Sequence, residues 1–74
     1  MYKSLKHQES SRIHKMWYDS ESKTLKVEFT KGGIYIYHNV SPDIVKELCE
    51  PSKYLGKQFQ KLIIEGGFFY EKQK

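Results

Sequence analysis

Over residues 24–30, TLKVEFT, apolar and polar side chains alternate without a break. Leu25, Val27 and Phe29 take one face and Lys26, Glu28 and Thr30 the other, which predicts a half-buried strand. Upstream, RIHKMWY at 12–18 mixes basic and apolar residues and predicts a first strand. The composition of 19–23, DSESK, predicts the turn between them. Downstream, Lys31-Gly32-Gly33 is a hairpin signal, because glycine adopts positive φ without penalty, and 34–38 is the returning strand.

The period then changes. Ser41-Pro42-Asp43 opens a helix: a serine N-cap, a proline suited to the first helical position, and a carboxylate at the positive end of the dipole. Ile44, Val45, Leu48 and Cys49 share one face, and Pro51 ends the helix. Ser52 is placed to cap a second helix over about 53–64, where Leu55, Phe59, Leu62 and Ile63 follow the i, i+4, i+7, i+8 pattern. Gly66-Gly67 stops it, and Phe68-Phe69-Tyr70 offers a short last strand. Residues 1–11 are polar and aperiodic and read as a disordered tail; 12–74 form one domain. The order predicts an α+β fold: a small antiparallel sheet of three strands, with a short fourth at FFY, and two C-terminal helices packed on one face.

Tyr35 and Tyr37 lie two apart and share a face of the third strand. The hairpin register decides which face. A connection of two or four residues places Phe29 opposite Ile34 and turns both tyrosines to solvent. A connection of three, 31–33, places Phe29 opposite Tyr35 and turns them into the core.

The ordered set Tyr18-Asp19, Leu25-x-Val27-x-Phe29, Gly32-Gly33-Ile34-Tyr35-Ile36-Tyr37, Val40, Pro42 and Ser52 with Gly56-x-x-Phe59 resembles the KTSC domain. That family is named for a module at the C-terminus of some lysyl-tRNA synthetases and also occurs as a stand-alone bacterial protein. The resemblance runs from Ile13 to about Tyr70 and contains the family's central Y-x-Y motif. It departs at Ile36, where the family usually has a polar residue, and in a longer Ser52-to-Gly56 spacing. If the family's polar residue faces water, Tyr35 and Tyr37 face inwards. The resemblance also suggests RNA binding.

Charge adds to this picture. Thirteen basic residues against nine acidic give +4 over 74 residues, which leans towards an anionic partner. Lys53, Lys57 and Lys61 recur every four residues along the second helix with no acid between Pro51 and Ile64. Such a stripe can track phosphates, with a slope of log K on log salt of about −3; the plain alternative is a solvated face. Arg12 and Lys15 on the first strand form a second basic group. Trp17 and Tyr18 point to opposite faces, so Trp17, where the family is usually small, is the candidate exposed ring for stacking on an unpaired base.

Catalytic chemistry lacks a motif. Ser, His and Asp occur without a nucleophile–base arrangement, and neither Gly-Gly pair makes a phosphate loop. His38 reads as a surface or turn residue. His7, His14 and His38 have no metal spacing around the single Cys49, which reads as a small buried hydrophobe in a reducing, cytoplasmic setting. No cofactor, no small-molecule substrate and no membrane span is expected. Two functions follow: a non-catalytic RNA-binding module using Lys53, Lys57, Lys61, Arg12, Lys15, Trp17, Tyr35 and Tyr37, or a protein-interaction module or small regulator, of the kind bacteria and phages use, docking on one larger partner protein through Trp17 and Tyr70.

Overall fold

The computed structural model describes residues 1–7, 9–50 and 54–73. Pro51, Ser52 and Lys53, and with them the helix stop, the second cap and the first lysine of the stripe, lie outside the described residues.

Among the described residues five strands form one antiparallel sheet in sequence order: β1 (Lys3–Ser4), β2 (Ile13–Asp19), β3 (Thr24–Phe29), β4 (Gly33–Tyr37) and β5 (Tyr70–Lys72). The sheet therefore has five strands, not three or four: the extra one comes from the segment expected to be a loose tail, and the last begins at Tyr70 instead of running over Phe68-Phe69-Tyr70. Leu5 N–H donates to the Met16 carbonyl at 2.9 Å and the Thr24 hydroxyl bonds the Tyr2 hydroxyl at 3.0 Å. The Leu5–Met16 bond and the β1–β2 pairing satisfy backbone groups that β2, as an edge, would otherwise leave unpaired, and the hydroxyl bond ties Tyr2 to β3.

Two helical segments cover one face of the sheet. Helix α1 (Pro42–Leu48) starts where expected, with the Ser41 hydroxyl accepting from Ile44 N–H. Helix α2 (Leu55–Phe59) runs directly into a π-helical turn, Gln60–Ile64, in which the Gln60 carbonyl accepts from Glu65 N–H. An α turn is slightly shorter than four residues and a π turn, with its i→i+5 bonds, slightly longer. The mixture keeps Leu55, Phe59 and Ile63, spaced by four, along one buried line. Past the end of that turn Gly66 has no room for a side chain: a Cβ there would stand 2.5 Å from the Leu62 carbonyl oxygen and 2.8 Å from the Phe68 ring.

The core joins Ile13, Met16, Tyr18, Leu25, Val27 and Tyr37 of the sheet to Val40, Val45, Leu48, Leu55, Phe59 and Ile63. The Tyr18 hydroxyl donates to the Val40 carbonyl inside it. Cys49 is half-buried against this core rather than fully buried, and burial raises its thiol pKa.

The hairpin register settles the tyrosines. Val27 pairs with Tyr35 and Leu25 with Tyr37, so both rings lie on the helix side of the sheet. The connection has three residues, but they are 30–32. Phe29 pairs with Gly33, whose φ of 85° opens the returning strand, and each pair is displaced by two residues from the expected register. Parity, and therefore the face, is preserved.

Candidate functional site: an aromatic groove at the margin of the helical layer

The helices stop short of one corner of the sheet. What they leave uncovered is a groove of about 680 Å³, floored by Phe29, Tyr35 and Tyr37 and walled by Ile63, Ile64, Phe68 and Tyr70. Ser11, Arg12, Thr30, Lys31, Gly32 and Gly67 complete its rim. Four sequence-distant segments meet here because β2, β3 and β4 end or turn at this corner and the chain returns through Gly67, at φ 71°, to β5.

The rings are fixed mainly by one another. Phe29 meets Tyr35 and Phe59 edge-on at 5.5 Å, and Tyr37 meets Phe59 edge-on at 5.7 Å. These are the arrangements that ring quadrupoles favour. Tyr35 stacks on Tyr37 at 6.4 Å, and Tyr70 lies 5.8 Å from Tyr35 and 5.6 Å from Tyr37. Exposure rises outwards across the set, from 4% at Tyr37 through half-buried Tyr35 to 56% at Tyr70. Burial, with smaller contributions from the neighbouring Tyr35 and Tyr70, pushes the Tyr37 phenol up to about 12. Its hydroxyl is thus a neutral hydrogen-bonding group at any physiological pH.

Arg12 and Lys31 are both exposed on the rim. None of the described residues lining the groove is a carboxylate, so no acid in the lining opposes these cations. Lys72 adds a third positive charge nearby, its Nζ 6.0 Å from the Tyr35 ring centre.

Of the residues singled out in the sequence, the groove brings together Arg12, Tyr35 and Tyr37. Among the described residues it does not include the others. Lys57 and Lys61 are exposed on the helical layer outside the lining. Trp17 and Lys15 are on the opposite face of the sheet, in register with Lys26 and Glu28. There Trp17 is half-buried and the Lys26 ammonium sits 5.2 Å from its ring and 5.5 Å from that of Tyr2. A single groove therefore cannot use both the lysine helix and Trp17. Lys31, Phe68 and Tyr70 were not singled out as RNA contacts in the sequence. Lys31 looks like a turn residue, and only the hairpin register and the return of β5 bring it near the tyrosines. His38, expected in a turn, bonds the Glu71 carboxylate at 3.1 Å across β4 and β5.

Among the described residues no His, Cys, Asp or Glu group could hold a metal ion, and no helix is long and apolar enough to cross a membrane.

The meander, its one-sided helical cover and its corner groove define a small α+β module. The chain belongs to the KTSC domain family, whose profile matches residues 9–68. It is 37% identical over 54 residues to an uncharacterised protein of Stutzerimonas stutzeri, covering 73% of this chain and 75% of that one. It is 38% identical over 64 residues to a lysine–tRNA ligase of Nostoc punctiforme, spanning 85% of this chain but 11% of the ligase. A crystal structure of a KTSC domain protein from Yersinia pestis superposes over the full length of both chains with a TM-score of 0.80 at 24% identity, which shows the shared fold.

Proposed function

We propose that this protein is a small, non-catalytic, cytoplasmic module that binds single-stranded RNA in the aromatic groove. The observation that carries the reading is the pairing of exposed ring surface with Arg12 and Lys31 in a lining that has no acid. Aromatic faces accept any unpaired base, at about 1–3 kcal/mol per base. A guanidinium and an ammonium at the rim suit the phosphates that flank it. The lysine–tRNA ligase relative agrees with an RNA-related setting, in which such a module adds affinity to a larger protein.

The test is a titration with a single-stranded RNA octamer. Two phosphate contacts predict a salt slope of about −1.4, or roughly a sevenfold loss of affinity for a fourfold rise in salt. The double variant Arg12→Gln, Lys31→Gln should bind weakly, whereas Lys57→Gln, Lys61→Gln should bind as the parent does. The reverse result would return the lysine helix to the centre of the problem.

A second reading, docking on one protein partner, is favoured by the uncovered sheet face. There Trp17, Ile34 and Ile36 are half-buried, and among the described residues no helix lies over them. A partner recovered from nuclease-treated lysate by the parent and lost with Trp17→Ala would support it.

A further inference from the structure

We infer that the groove takes one unpaired nucleotide, its base among the rings and its own phosphate between Arg12 and Lys31. The feature recognised is then a bulged or terminal nucleotide, not a run of single strand. The inference rests on the nucleic-acid reading above and narrows it.

Size is the first argument. About 680 Å³ lies in the range of pockets that enclose one small ligand, roughly 300–1,000 Å³. Ring geometry is the second. Surfaces that track a strand set out aromatic rings in succession, one base to each. Here the three tyrosines close a triangle with sides of 6.4, 5.8 and 5.6 Å. With Tyr37 buried beneath them, Tyr35 and Tyr70 are the rings of this cluster that a base can reach, and a base placed on them excludes a second. Shape is the third. Ile63, Ile64 and Phe68 wall the groove on the helix side, so a strand lying in it would have to leave the rings after one residue. Charge is the fourth. Arg12 and Lys31 are the cations in the lining, enough for one phosphate and its neighbour. Lys72 is already drawn over the Tyr35 ring.

The experiment compares adenosine, adenosine 5′-monophosphate and oligoadenylates of two, four and eight nucleotides by NMR shift titration of the intact chain. The monophosphate should move the amides of Lys31, Tyr35, Gly67 and Tyr70. It should bind within about threefold of the octamer after correction for the number of equivalent positions, and adenosine should bind about tenfold more weakly. Tyr70 is more than half exposed, so Tyr70→Ala leaves the core intact. That variant should weaken monophosphate and octamer by the same factor, at least about fivefold. An octamer that binds while affinity climbs more than about tenfold with length means strand tracking; it overturns the single-nucleotide inference and leaves the RNA reading standing. Absence of binding by octamer and monophosphate alike overturns both. Binding of the monophosphate with no oligonucleotide overturns the RNA reading and makes a free nucleotide the ligand.

Discussion

The two faces of this sheet are built from the same strands yet treat charge and rings in opposite ways. On the helix side, Met16, Leu25, Val27 and Tyr37 are at most 4% exposed, and the rings meet edge to face. On the other side Trp17, Lys26, Glu28, Ile34 and Ile36 are only half-buried, and Thr24, beneath Tyr2, is the buried exception. On that open face Lys26 lies against two rings, and Lys15 is in register with an acidic residue, Glu28. At the helix-side corner Arg12 and Lys31 border rings with no acid in the lining. An aromatic residue near a lysine is thus no sufficient sign of a nucleic-acid site. What distinguishes the groove is that its positive charge has no partner within the lining and its rings are packed from behind.

The largest expected effect tests that packing. Phe59 is 3% exposed and contacts both Phe29 and Tyr37. Phe59→Ala should cost about 3–5 kcal/mol, most of the stability of a domain this small, and the variant should be largely unfolded in a urea titration. Trp17→Ala on the open face should keep a cooperative transition. Comparable losses from the two would mean that the faces do not differ in the way the burial pattern implies.

That contrast was only partly legible in the sequence. The alternation of 24–30 fixes which side of β3 is buried, and the Ser41-Pro42-Asp43 start of α1 can be read directly. The tyrosines were ambiguous because hairpin parity depends on whether the connection holds an odd or an even number of residues, and connections of two, three and four are all chemically acceptable. β1 was illegible because two residues carry no period; its pairing follows from the exposed edge of β2. The groove was hidden for a different reason. It is a gap left between segments, and neither composition nor spacing encodes where a helical layer stops. The lysine spacing was visible, but periodicity places charges on a helix without saying what that helix face looks onto.

The second expected effect is a pH dependence confined to the packed face. Tyr37 is held near 12 by burial, above its ordinary value of 10. Between those values the unfolded chain has released a proton that the folded chain keeps. The stability Tyr37 contributes is therefore complete below pH 10, falls as pH rises and is gone above about 12. Tyr18, raised by burial and then by the charge of Asp19, acts in the same direction. Phenolate absorbance should show these two ionising late, with unfolding setting in over the same alkaline window. Ionisation of Tyr18 and Tyr37 at their ordinary value of 10, with no accompanying loss of stability, would show that solvent reaches both phenols.

The smallest effect bears most directly on the choice between faces. Lys26→Met keeps an aliphatic stem against Trp17 and Tyr2 and removes the charge whose centre lies 5.2 and 5.5 Å from those rings. Cation–π contacts at such partly exposed positions are worth about 0.5–1 kcal/mol, so the midpoint of thermal unfolding should fall by a few degrees. The Leu5 amide, bonded to Met16 on the edge that Tyr2 helps to hold, should exchange faster with deuterium. If Lys26→Met is as stable as the parent, the ammonium is not engaged by the rings. A free cation would then stand beside a half-exposed tryptophan, and the argument that favours the groove over the open face would lose its electrostatic half.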